Sequence, residues 1–331
     1  MTRPGTASTR EAFISGLMEV AADDPRAVLI SVDSLKSLRA TPFAEKYPDR
    51  LFDLGIAEQN AVAFAAGLAA SGLHPFIGGY AGFISMRAFE QVRTFVAYPG
   101  LNVKFAGMNG GIYGGEREGA THQSFEDLAV LRSIPGLTIV VPADAGQVRK
   151  AVRAIAAREG PAYIRIGSGF EPVIFEDSRG FELGRPRILE EYGNDAALFC
   201  CGPIVKRVLE AAKILVADGL GTLVVEVHTL KPLDVDGVAA ILEHTGAAVT
   251  VEDHSIIGGL GSAIAEIIAE DVPAAALVRV GLRDIFPSSG EAESLLDHYG
   301  MSISDIVAAA GRVVRKKASR LAHSYRGRRA T

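Results

Sequence analysis

The chain has 331 residues, 48% hydrophobic and 22% charged, with 36 glycines, no tryptophan and a formal net charge of −5. That profile excludes a disordered or fibrous polymer and is long enough for two ordinary domains, each with its own core. No stretch of eighteen or more apolar residues is unbroken, and the amino terminus lacks the apolar core of a secretory signal, so a cytoplasmic location is expected.

In chain order, STREAF carries Arg10, and AVLISV (27–32) reads as a buried strand leading to Asp33 and Ser37 in VDSLKS. LFDLG forms a short strand that enters the helical pattern AEQNAVAFAAGLAASG through Gly55 and Ile56, which puts Glu58 in a first helical turn. PFIGGYAGFISMRAFEQVR brings Tyr80, Phe83 and Met86 at intervals of three ahead of a helix with Arg87 and Arg93. Further apolar, β-branched runs follow at LNVKFAG (101–107), LTIVVPA (137–143) and AYIRIG (162–167). The glycine-rich GGIYGGEREGATHQSFEDLAVLRSIPG lies between the first two, and the helical DAGQVRKAVRAIAAREG precedes the third.

From about Gly167 to Asn194 periodicity is lost in a stretch rich in Gly, Pro and charge, so a linker is placed at 171–192. The alternation then resumes with AALFCC (196–201), GTLVVEVH (221–228) and AAVTVED (247–253), interleaved with PIVKRVLEAAKILVADG and GGLGSAIAEIIAED. The expected fold is α/β, with two consecutive domains at 1–170 and 193–312, each a mainly parallel sheet flanked by helices. A tail at 313–331 completes the chain; no acid follows Asp305, while Arg312, Arg315, Lys316, Lys317, Arg320, Arg326, Arg328 and Arg329 supply positive charge. It reads as a solvated, partly helical extension. Cys200 and Cys201, adjacent in ALFCC, lack the spacing of a metal site or a disulfide framework and read as buried strand residues.

A single Glu in a first helical turn is ordinary, because the helix dipole favours acids there, and aromatics at helical spacing are usually core. Arg165 inside the apolar strand AYIRIG is less ordinary, since such a cation is awkward unless it sits at a strand end pointing into a cleft, which favours a ligand role.

The strings FDLGIAEQN and GATHQSFEDLAVLRSIPG, with their flanks, resemble the C-terminal half of transketolases, and the resemblance extends over about 1–310. It implies a thiamine-diphosphate-binding pyrimidine domain followed by a transketolase C-terminal-like domain. Glu58 matches the family glutamate that bonds N1′ of the cofactor's aminopyrimidine, favouring the imino tautomer that deprotonates the thiazolium. Tyr80 and Phe83 match an aromatic slot for that ring; Met86 stands where an aromatic is often found, and Asp33 matches an aspartate near the cofactor. His122 matches a histidine that contacts the donor sugar and the reacting oxygen. Arg10, Ser37 and Arg165 match a phosphate-binding set. Glu118 replaces an Asp that reads a sugar hydroxyl, and the added methylene puts an ordinary ketose donor in question.

The GDG segment and later Asn that hold Mg²⁺ and the diphosphate in this family do not occur here. The resemblance therefore implies a split enzyme: an N-terminal subunit supplies the Mg²⁺ ligands, the assembly is α2β2, and a two-carbon ketol unit passes from an anionic ketose to an aldose. Competing readings are the beta subunit of a 2-oxoacid dehydrogenase decarboxylase, a deoxyxylulose-phosphate synthase relative and a non-catalytic regulatory subunit. THQSFEDLAVLRSIP argues against the first, and the joint presence of Glu58 and His122 against the last.

Overall fold

The computed structural model describes residues 5–115, 118–169, 171–175 and 180–327, with side chains to 320. Among these residues two larger sheets form. The first runs, in spatial order, Thr229–Lys231, Thr138–Val140, Ala162–Arg165, Lys104–Met108, His74–Tyr80, Ala27–Ser31 and Leu51–Asp53. All of these pairings are parallel except that of Thr229–Lys231 with Thr138–Val140. The second runs Ala276–Leu282, Ala247–Ser255, Ala196–Cys200, Thr222–Glu226 and Arg187–Glu191, with only the last strand antiparallel. This is the expected α/β layering of two consecutive, mainly parallel sheets with helices packed on their faces.

The strands form where the chain is apolar without alternation, as suits strands covered on both faces. All five residues of Ala27–Ser31 and of Ala196–Cys200 are buried. Cys200 and Cys201 are buried here, and burial pushes both thiols well above their usual range. Helix Ala145–Ala156 starts at Asp144, whose carboxylate accepts the Gln147 amide at 2.8 Å, and buries Val148, Ala151, Val152 and Ile155 against helix Thr9–Asp23.

The stretch expected as linker contributes structure. Glu171–Pro172 pairs with Thr6–Ala7, and Arg187–Glu191 is the edge of the second sheet. Strand Thr229–Lys231 leaves the second half of the chain to cover the edge of the first sheet. One apolar cluster also joins the halves, with Leu128, Leu131 and Ile139 from the first and Phe199, Val225, Leu260 and Ile264 from the second.

The basic segment is docked where it begins. Helix Ile303–Gly327 buries Ile306, Ala309, Ala310 and Val313. Beyond them the Lys317 ammonium donates to the Thr245 carbonyl at 2.7 Å, and Arg320 donates to the Ala275 carbonyl. Arg328 and Arg329 lie outside the described residues. No helix among the described residues is long and apolar enough to cross a membrane.

Candidate active site

Because the strands of the first sheet other than Thr229–Lys231 are parallel, their carboxyl ends share one edge, where open α/β sheets bind ligands, and several candidate residues follow those ends. Asp33 follows Ala27–Ser31, Glu58 follows Leu51–Asp53, Tyr80 ends His74–Tyr80, and Asn109 and the loop bearing His122 follow Lys104–Met108.

Glu58 opens helix Glu58–Ala70, whose cap residue Ala57 offers no side-chain hydrogen bond. Its carboxylate is 3% exposed and accepts from Arg87 Nη1 at 2.8 Å on Oε2. Arg87 lies in a π-helical turn, Phe83–Arg87, a local departure that recurs at functional sites. Its guanidinium stacks 4.1 Å from the centre of the Phe83 ring.

Phe83, Tyr80 and His122 form a closed trio. Tyr80 and Phe83 stand 5.7 Å apart between ring centres, Tyr80 and His122 5.1 Å, and Phe83 and His122 5.3 Å, each pair edge to face. All three rings are half-buried. Nδ1 of His122 is 2.9 Å from the Thr121 hydroxyl. Met86 stands outside the trio, 45% exposed. Asp33 is exposed with φ 58°, and its amide donates to Asp53 Oδ1 at 2.9 Å.

Arg10 is buried in the first turn of helix Thr9–Asp23 and donates to the carbonyls of Gly167 at 3.0 Å and Ser37 at 2.9 Å. It also donates to Asn109 Oδ1, and Asn109 Nδ2 donates to Glu118 Oε2 at 2.8 Å. Burial lowers the Arg10 pKa, against the fields of Glu171, Tyr80 and Glu118. Ser37 takes part here through its carbonyl. Asn109, buried with φ 57°, carries no motif that marks it in the sequence; a non-glycine residue in that conformation is the signal that structure adds.

Arg165 corrects the expectation. It is 4% exposed and donates from Nε and Nη2 to Asp127 at 3.1 and 3.0 Å, from Nη1 to Asp253 at 3.0 Å, and from Nη2 to the Ser124 carbonyl at 2.9 Å. Burial alone would lower its pKa, but the two carboxylates outweigh that and raise it. A guanidinium enclosed by two carboxylates is a tie between domains and offers no fork to a phosphate. Its partners Asp127, inside the FEDL string, and Asp253 escape sequence reasoning, because each meets Arg165 from a distant part of the chain, Asp253 from the other half.

Glu252, Asp253 and His254 are likewise buried. Glu252 accepts the amides of Leu260 and Gly261 at 2.7 and 2.8 Å, so GGLGSA is tight packing at a helix start. A Cβ at Gly259 would lie 2.1 Å from Glu252 Oε2.

A buried carboxylate at a helix start, joined through Arg87 to a half-buried aromatic cluster at the carboxyl edge of a mainly parallel sheet, has the character of a ligand site in an α/β fold. The comparisons agree: residues 5–168 match the transketolase pyrimidine binding domain and residues 184–306 the transketolase C-terminal domain. The chain belongs to the transketolase family and is a split-transketolase-type subunit of its thiamine-diphosphate-dependent class.

It is 40% identical to the 6-deoxy-6-sulfo-D-fructose transketolase subunit of Clostridium sp., over 93% of this chain and 95% of that protein. It is 37% identical to one of the apulose-4-phosphate transketolase subunits of Phocaeicola vulgatus, over 93% and 97% respectively. A solved structure described as a split gene transketolase, inactive beta4 tetramer, superimposes with a TM-score of 0.85 at 40% identity, covering 95% of this chain and all of the other. Against 1-deoxy-D-xylulose-5-phosphate synthase 1 of Geobacter metallireducens, 34% identical, the chain spans only 48% of that protein.

Proposed function

We propose that the chain is the pyrimidine-side subunit of a thiamine-diphosphate-dependent transketolase, active with an N-terminal partner in an α2β2 assembly, and that Glu58 is its cofactor-activating residue. The observation that carries this is the buried Glu58 carboxylate beside the Tyr80–Phe83–His122 trio. Thiamine diphosphate supplies a carbanion at its thiazolium, which accepts and releases the two-carbon ketol unit. This chain's share is positional and protonic. Glu58 would hold a proton against N1′ of the aminopyrimidine, and the aromatic edges of Tyr80 and Phe83 would bound that ring and exclude water. His122, on the same trio, would donate to the reacting oxygen of the sugar.

The diphosphate and its Mg²⁺ are assigned to the partner, whose oxygen ligands a hard cation requires. On the substrate side, the Arg10–Asn109–Glu118 chain, with the Ser37 carbonyl on Arg10, supports recognition of hydroxyls and an anionic end, while Asp33 is assigned to the surroundings of the cofactor. The two split subunits above are named for sugars bearing a sulfo or phosphate group, which favours an anionic ketose here. Mixing the purified chain with an N-terminal transketolase subunit tests the reading. Ketol transfer should require both chains, thiamine diphosphate and Mg²⁺, and fall at least a hundredfold in Glu58→Ala. Turnover by the single chain, or full activity of Glu58→Ala, would overturn it.

A further inference from the structure

No sequence motif marks Arg87, yet among the described residues it is the side chain that hydrogen-bonds Glu58. The contact is one-sided: Nη1 reaches Oε2 at 2.8 Å, and Oε1 takes no protein donor among the described residues. The two ends also differ in exposure, with the carboxylate 3% exposed and the guanidinium 46%. The cation therefore approaches from the solvent side of a carboxylate sunk in the protein.

Arg87 is held from two further directions. Its guanidinium lies 4.1 Å from the centre of the Phe83 ring, and its backbone carbonyl accepts the Gln59 side-chain amide at 3.1 Å. Gln59 follows Glu58 on the same helix, so the helix start and the π-helical turn are tied twice. Phe83 is also one of the three rings beside His122. Arg87 thus connects the carboxylate to the aromatic cluster, through an N–H at its edge on one side and the face of its guanidinium on the other.

We infer that Arg87 is a positioning residue for the cofactor: by gripping Oε2 it limits rotation of the Glu58 carboxylate and presents Oε1 to the aminopyrimidine. This rests on the reading of Glu58 given above. A guanidinium that straddled both oxygens would compete with a heterocycle; one that holds a single oxygen leaves the other for it. Lysine cannot replace it fully, because an ammonium lacks the planar face that stacks on Phe83 and the fixed fork that aims Nη1.

The test compares Arg87→Gln, Arg87→Lys and Glu58→Gln chains, each assembled with the N-terminal subunit and checked for assembly by size-exclusion chromatography. Thiamine diphosphate affinity is measured by calorimetry in Mg²⁺ buffer, and kcat and acceptor KM by steady-state turnover. Arg87→Gln should weaken cofactor binding about tenfold and lower kcat with acceptor KM unchanged, and Arg87→Lys should recover part of both. Unchanged or tighter cofactor binding in Arg87→Gln overturns the proposal. If Arg87→Gln does not assemble, a wild-type cofactor affinity in Arg87→Lys overturns it instead, and a threefold or greater loss there supports it. Normal behaviour of Glu58→Gln would sink the reading of Glu58 itself, whereas a crippled Glu58→Gln beside wild-type-like Arg87 variants would sink the role of Arg87 alone.

Discussion

Arg165 and Asp253 meet at 3.0 Å across the boundary between the two halves of the chain, each less than one-twentieth exposed. Asp127 holds the other side of the same guanidinium, and its Oδ2 also accepts the Tyr163 hydroxyl at 2.6 Å. Removing the cation would leave two buried carboxylates facing one another. Arg165→Met should therefore lose ~3–5 kcal/mol of stability, read as a lower urea midpoint. Arg165→Lys should recover less than half, because one ammonium cannot serve both carboxylates and the Ser124 carbonyl.

Phe83 has a ring face on Arg87 and an edge on His122. Phe83→Ala should weaken thiamine diphosphate binding in the assembled enzyme by about tenfold to a hundredfold, in keeping with the ~1–3 kcal/mol carried by an aromatic contact and its buried area. Calorimetric titration measures it. A smaller effect than that of Met86→Ala would place the pyrimidine elsewhere, since Met86 lies outside the trio.

Glu118 takes its hydrogen bond from Asn109, which is tied to Arg10. Glu118→Asp withdraws the carboxylate by about one methylene, and a site built on hydroxyl recognition is sensitive to such a shift. The ratio of kcat/KM between ketose donors that differ at a single hydroxyl should change about tenfold or more, and ratios unchanged at every hydroxyl would remove Glu118 from donor recognition.

His228 is 2% exposed; its ring lies 4.3 Å from that of Phe181, with Nδ1 2.9 Å from the Thr229 hydroxyl. Burial, aided by the Arg187 charge, lowers its pKa from 6.5 to about 4. The unfolded chain then binds the proton between those values while the folded chain does not, so this contribution is complete above 6.5 and is lost as pH falls towards 4. Burial raises Glu252 to about 7 and Asp253 to about 6, which acts in the opposite sense, destabilising the fold as pH climbs towards those values. The His228 share is therefore read as a difference: the gap in unfolding free energy between wild type and His228→Asn should widen by up to ~3 kcal/mol from pH 4 to 6.5. A constant gap would contradict it.

Much of this was legible in the sequence. The strands at 27–31, 104–108, 138–140, 162–165, 196–200, 222–226 and 247–255 fall on the apolar runs, because parallel strands covered on both faces need no alternation. The strand His74–Tyr80 is harder to see, since it carries a proline and two glycines. Gly78 is there for a neighbour: a Cβ would lie 2.1 Å from Leu38 Cδ2, a contact that no local pattern reveals. Tyr80, Phe83 and His122 stood out individually by motif resemblance and the structure adds that their rings touch, whereas Arg87, Asn109, Asp127 and Asp253 act through partners distant in the chain. Arg165 shows the same limit from the other side: a cation in an apolar strand pointed to a ligand, and the carboxylates of Asp127 and Asp253 that enclose it come from distant parts of the chain.

The strand Thr229–Lys231 makes the two halves of this polypeptide lend each other structure. Cleaved near residue 175, the upstream fragment would expose the Thr138–Val140 backbone as an unprotected edge, open to pairing with other molecules. A mutation beneath the smaller sheet can then be felt at the larger one, through this strand and the apolar cluster that both halves share.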